Sequence, residues 1–142
     1  MTSTNVEFVR RGYQLFNEGR LEDALEGFDP DIEWSGPDLL PEGDRVYRGP
    51  EGVAQFWGAW REIFDDFRIE IEEMIDVGDR VVAMVRVSGR GRDSGAEVAT
   101  PSFPHVWTIA HGKAVRMEML PDRATALVAV GLDPDLAPQP DI

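Results

Sequence analysis

Two histidines, His105 and His111, are the side chains of this sequence whose ordinary pKa lies near neutrality. His105 is the better candidate for chemistry, as a general base that takes a proton near pH 7. A histidine satisfied inside the core is the alternative. The two lie on one expected strand, roughly 20 Å apart at about 3.3 Å per residue, too far to share a metal ion. No other ligand cluster is visible and there is no cysteine, so neither a metal nor another cofactor is expected. Strict alternation groups His105 with Trp107 and Ile109, although Pro101 and Pro104 are able to bulge the strand and turn the ring.

Arg86 is the second polar candidate. Val81, Ala83, Val85 and Val87 make one face of its strand, and Val82, Met84, Arg86 and Ser88 make the other. If the second face looks into an apolar cavity, Arg86 needs a carboxylate partner or an anionic or carbonyl-bearing ligand, because an uncompensated buried charge is too costly to keep. Otherwise it is exposed. The pairs Asp65-Asp66 and Glu72-Glu73 point opposite ways on a strand, so neither is a convergent acid dyad. The glycine-rich stretch from Gly89 to Gly95 is not followed by a helix and is no phosphate cradle.

Bulk for a pocket is plentiful. Tyr13, Trp34, Phe56, Trp57 and Trp60 combine apolar area with, in the tyrosine and tryptophans, a polar tip. They are candidates for the wall of a ligand cavity, with plain core packing as the alternative. Met84, Met117 and Met119 are adaptable apolar fillers and carry the same two readings. Alternation puts Met117 and Met119 on the face of Val115.

The elements that must position these residues follow from period and punctuation. Val6, Val9, Tyr13 and Phe16 share one helix face, with Ser3 or Thr4 as cap and Gly19 as stop. A short helix with Leu21, Ala24, Leu25 and Phe28 ends at Asp29-Pro30-Asp31, and Ile32 to Ser35 alternates as a strand that Gly36 and Pro37 stop. Asp38 to Asp44 reads as a loop. Gly49-Pro50 opens the strongest helix, with a broad stripe of Val53, Phe56, Trp57, Trp60, Ile63 and Phe64. From Phe67 the period becomes two, and turns at Gly78-Asp79, Gly89–Gly95 and His111-Gly112 separate four long strands. Pro121-Asp122 starts a closing helix that ends at Gly131. Residues 1–132 therefore form one domain, and 133–142 a loose tail rich in proline and aspartate.

The order predicts an α+β domain: a cone-shaped, curved antiparallel sheet, a half-barrel with helices packed over its concave face and a cavity at the open end. Valines on both faces of one strand leave an apolar face uncovered by those helices, which predicts a homodimer. The net charge of −13 repels phosphate backbones and anionic lipids, so neither nucleic acid nor membrane is an expected partner. No stretch approaches a membrane span, the charged start is no signal peptide, and the absence of cysteine suits a reducing cytoplasm.

Six stretches in this order resemble the SnoaL-like branch of the nuclear transport factor 2-like superfamily. They are Tyr13–Gly19 with Leu21-Glu22, Arg48–Val53, Asp76–Val82, Gly89–Arg92 through Ser94-Gly95, His105–Thr108 with Gly112–Arg116, and Asp122-Arg123 with Ala126-Leu127 and Gly131-Leu132. The resemblance implies the same cystatin-like half-barrel. It also implies a small hydrophobic ligand, with acid–base isomerisation, cyclisation or hydration/dehydration (epoxide opening included) as possible chemistry. The alternative is a non-catalytic binding or dimeric interaction module. By the same resemblance Trp57 falls where steroid isomerases carry a supporting pocket tyrosine. The positions that resemble their catalytic acids hold Gly36 and Pro104, and their oxyanion tyrosine falls at or beside Gly12, with Tyr13 the nearest phenol. Met119 points inward where an acid would be useful, and Glu118 outward. The expected roles are thus His105 as base, Arg86 or Tyr13 as oxyanion partner, and the tryptophans as walls; if Trp57 is wall and not core, Trp57→Ala harms binding more than folding.

Overall fold

The computed structural model describes residues 4–36 and 45–139. Ser3, Pro37, the expected loop from Asp38 to Asp44 and the last three residues of the tail lie outside that range. The chain runs α1 (Thr4–Asn17), α2 (Leu21–Leu25), β1 (Phe28–Gly36), β2 (Arg45–Arg48), α3 (Gly49–Ile63), β3 (Phe64–Val77), β4 (Arg80–Gly91), β5 (Glu97–Ala99), β6 (Phe103–Ala110), β7 (Lys113–Met119) and α4 (Arg123–Ala129). The strands form one curled, open sheet in the order β2-β1-β7-β6-β4-β3, with β5 paired to the far half of β4.

Four features differ from the sequence reading. Phe28 begins a strand, and Asp29-Pro30-Asp31 sits inside β1 as a register irregularity rather than ending a helix. β1 joins β7 in parallel, so the sheet is not wholly antiparallel. The third long strand is two strands, β5 and β6, separated where Thr100 to Ser102 leave the ladder. A register shift beside Val115 puts Ala114 and Met117 together in the inner core, so Val115 does not share their face.

Helices α1 and α3 cover the inner face. Their stripes pack with Val81, Ala83 and Val85 of β4 and with Trp34, Trp107, Ile109, Ala114 and Met117 of the neighbouring strands. Gly49 lets α3 start hard against β1: it sits at φ +71°, and a Cβ there would lie 3.0 Å from the Pro30 carbonyl oxygen. Asn17 closes α1 and holds the edge strand β3 through both backbone groups of Ile69, at 2.7 and 2.9 Å.

Helix α4 lies on the opposite face, contrary to the expectation that all helices share the concave side. Ala126, Leu127 and Val130 bury Ile75, Val82 and Val106. Both faces of β4 are therefore covered within one chain, which removes the leftover apolar face from which a dimer was expected.

The tail is not loose through residue 139. Arg123 donates to the carbonyls of Leu136 and Ala137, and its Nε and Nη2 form a fork on Glu73 at 2.8 and 2.9 Å. The Gln139 N–H donates to the same carboxylate. Burial alone would raise the Glu73 carboxyl, but these bonds outweigh it and hold it below the usual carboxylate range. Replacing Arg123 by Met leaves a buried carboxylate unpaired. Urea denaturation is expected to show a loss of about 3 kcal/mol, and limited proteolysis a newly cleavable tail.

Candidate functional site

Between the inner face of the sheet, α1 and α3 lies a cavity of about 560 Å³, within the size range of small-molecule sites. Helix α3 supplies the neighbours Phe56 and Trp57 and, about one turn on, Trp60, and α1 supplies Phe16. Trp34 of β1 closes one side. Ile69 and Val87 sit on adjacent strands as register partners. Phe67, Thr100, and Phe103, His105, Met119, Leu120 and Pro121, where β6 begins and β7 ends, complete the wall.

The mouth owes its shape to a bulge. Asp66 takes a left-handed φ of 53°, and the β3–β4 register shifts between Asp65 and Arg68. The bulge brings Phe64 and Phe67, three residues apart, to one side. There both stack almost parallel with Trp60, at centroid separations of 5.7 and 5.8 Å. Period-two reading cannot see this, because a bulge exchanges the faces.

Polar groups are few. His105 is 2% exposed and does share its face with Trp107 and Ile109, as alternation implied. Its Nδ1 lies 2.7 Å from the Tyr13 hydroxyl, which also receives the Trp107 Nε1–H at 2.8 Å. An indole N–H can only donate, so the phenol oxygen accepts from Trp107; the arrangement that also pairs the phenol's own proton donates it to His105 Nδ1. The neutral imidazole then carries its own proton on Nε2. That atom has no hydrogen-bond partner among the described residues, and neither does Trp34 Nε1. Thr100 Oγ1 accepts the Val87 N–H at 3.0 Å, which leaves the hydroxyl proton to donate.

Electrostatics follow from burial. It pushes the His105 imidazole down to about 3, so the ring is neutral at pH 7. It pushes the Tyr13 phenol up, more than the Trp107 bond lowers it, so the phenol keeps its proton. A base facing the cavity would need a free ring lone pair. The lone pair of His105 is at Nδ1 and is engaged by Tyr13. Burial keeps His105 neutral, and the Tyr13 hydroxyl is engaged by both His105 and Trp107.

Three other expected site residues lie elsewhere. Arg86 is exposed and alternates with Val85 and Val87, which face inward, so it is on the outer face. Met84 is buried on that same outer side. Met117 is core rather than lining, whereas Met119 is on the wall. His111 is exposed in the β6–β7 turn, far from His105 along the strand. Trp107 was not singled out as a site residue, although its parity with His105 was the available signal. Phe103 and Thr100, flanking the Pro101 break, carried no such signal. Among the described residues no carboxylate lines the cavity, and no group of three or more histidines and acids could hold a metal.

A curled sheet of this order, with helices roofing an apolar cavity, defines the class of nuclear transport factor 2-like α+β domains. Within it the chain belongs to the SnoaL-like domain family, whose profile matches residues 9–117. An NTF2-like protein of unknown function from Burkholderia pseudomallei K96243 superimposes with a TM-score of 0.76 at 26% identity, covering 92% of this chain and 99% of that one. TerC, co-crystallised with polyporic acid, gives 0.73 at 28% identity over 90% and 98% of the two chains. An NTF2-like protein from Burkholderia thailandensis E264 gives 0.74 at 26% identity over 90% and 96%. No functionally curated protein matches the sequence. No helix among the described residues is long and apolar enough to cross a membrane.

Proposed function

We propose that this domain binds a small, largely apolar and planar molecule in its aromatic cavity, and does so without acid–base turnover by its own side chains. One observation carries the reading: the cavity has aromatic walls on several sides, yet the one titratable side chain lining it among the described residues is a histidine that burial keeps neutral. Flat rings of Phe, Trp and Tyr favour stacked or edge-on contact with a planar guest. That the similar protein TerC was co-crystallised with polyporic acid supports an organic ligand for this chain.

A second reading is turnover of a carbonyl compound by isomerisation, cyclisation or dehydration. The buried Nε2–H of His105 favours it, since a preorganised donor stabilises a developing oxyanion. It would require a base brought by the substrate or by water.

The test is native mass spectrometry for a retained ligand, followed by titration of a panel of planar aromatic ketones and hydrocarbons read by tryptophan fluorescence. At least one panel member is expected to bind below about 100 μM, and Trp60→Ala to weaken it about tenfold through the lost stacking. Trp60 is only half-buried, so this variant should fold. No retained mass and no binding at 1 mM by any panel member would sink the reading. Consumption of a panel ketone at a rate above the uncatalysed one would favour the second.

A further inference from the structure

The cavity's polar atoms share one property. His105 Nε2 and Trp34 Nε1 are buried nitrogens without a hydrogen-bond partner among the described residues, and both rings line the cavity. The Thr100 hydroxyl uses its oxygen on the Val87 N–H, so its proton is what it has to offer. Among the described residues no Asp, Glu, Asn or Gln lines the space, so none of those side chains is dedicated to accepting there. A buried donor left unpaired is costly, and a guest that brings an acceptor recovers that cost. A guest that brings only a donor adds a second unpaired group.

Whether His105 offers a donor is decided behind the wall. A neutral imidazole can carry its proton on either nitrogen, and the bond made by one nitrogen sets the state of the other. Here Tyr13 Oη lies 2.7 Å from Nδ1, and Trp107 Nε1 lies 2.8 Å from that same oxygen. Tyr13 does not line the cavity, and its ring stacks beside the imidazole at 5.9 Å between centroids. The indole occupies one lone pair of the phenol oxygen as donor, and the arrangement that also pairs the phenol's own proton sends it to Nδ1. Without Trp107 the phenol could instead accept from Nδ1–H and present a bare Nε2 lone pair to the cavity.

We propose that Tyr13, oriented by Trp107, is a positioning residue that fixes the proton of His105 on Nε2. It thereby makes the cavity selective for planar ligands with an exposed acceptor oxygen, ketones and quinones, over isosteres that lack one. The selectivity rests on the binding role proposed above; the tautomer does not.

Two measurements test this separately. The first is 15N–1H long-range correlation of the histidine ring in the unliganded wild-type protein at pH 7. His105 is expected as a single Nε2–H tautomer with Nδ1 unprotonated. In Tyr13→Phe the ring is expected to lose that fixed state and populate both tautomers, which a purely structural tyrosine would not cause. The second is a matched pair of probes, 9-fluorenone and fluorene, which share a planar frame and differ by the carbonyl oxygen. Wild type is expected to bind fluorenone about tenfold more tightly, and Tyr13→Phe to reduce that preference to about threefold or less while fluorene affinity holds.

An Nδ1–H tautomer in wild type overturns the proposal with no variant needed, so a poorly folded Tyr13→Phe cannot shield it. An unchanged tautomer and unchanged preference in a folded Tyr13→Phe overturns the positioning role. Binding of neither probe overturns the selectivity together with the binding role, and the spectrum shows whether Tyr13 failed as well.

Discussion

Trp57→Ala is expected to lower stability by about 3–5 kcal/mol, the cost of truncating a core tryptophan. In a chain of this size that is a fall of roughly 10–20 °C in Tm. The position resembles a pocket wall, and Trp57 does line the cavity. It is also only 6% exposed, and its ring meets those of Phe16, Phe28 and Trp34 edge-on at 5.1, 5.9 and 5.8 Å. Those neighbours bridge α1, α3 and β1, so removing the indole unties three elements at once. The surrounding rings are rigid and cannot collapse into the gap, which places the cost at the upper end for such substitutions. Trp57→Ala is therefore a poor probe of binding, and Trp60→Ala, at the half-buried rim, is the better one. Differential scanning calorimetry of the two variants decides. A Trp57→Ala loss below about 1 kcal/mol would return the residue to the role of a wall dispensable for folding.

The limits of sequence reading are visible at the same residues. The α3 stripe of Val53, Phe56, Trp57 and Trp60 was legible because a helix period repeats locally. The turns were legible because they need special backbone: Gly78 at φ 76°, His111 at 54° and Gly112 at 71° all take the left-handed region. What could not be read is which of two apolar strand faces looks inward. Val82, Met84 and Arg86 offered as good an inner face as Val81, Ala83 and Val85, and only the landing of α4 on the outer side decides. One-residue shifts beside Val115 and Asp66 reverse parity with no warning in the pattern. The parallel pairing of β1 with β7 joins distant parts of the chain and leaves no local trace. The face of His105 followed from alternation, but its closest polar partner is a phenol 92 residues away in the chain, and no local pattern announces that contact. An ordinary histidine pKa argues for a base near pH 7, and burial of the ring lowers that pKa to about 3.

That burial has a consequence for acid stability. His105 in the folded state titrates at about 3, below its ordinary 6.5. On unfolding the ring returns to water and to the higher value. Between these two pH values the unfolded chain binds a proton that the folded chain refuses, so lowering the pH favours unfolding. The contribution is fully present above about pH 6.5 and is lost progressively as the pH falls toward 3. The slope is about 1.4 kcal/mol per pH unit in the middle of that window, and the loss from pH 6.5 to 4.5 is about 2 kcal/mol. The carboxyls of Glu73 and Asp122, both held below their ordinary values, add a loss of the same sign at lower pH. Relief of the −13 net charge acts in the opposite direction. A difference measurement removes both. His105→Gln keeps a polar side chain that can accept from Tyr13 and cannot take a charge, and every other group is common to the two proteins. Urea denaturation at half-unit steps from pH 7.5 to 4.5 is expected to give curves that converge as the pH falls, the wild type losing about 2 kcal/mol relative to the variant. Parallel curves would mean that His105 titrates alike in both states, in water's reach when folded, and the neutral donor facing the cavity would go with it.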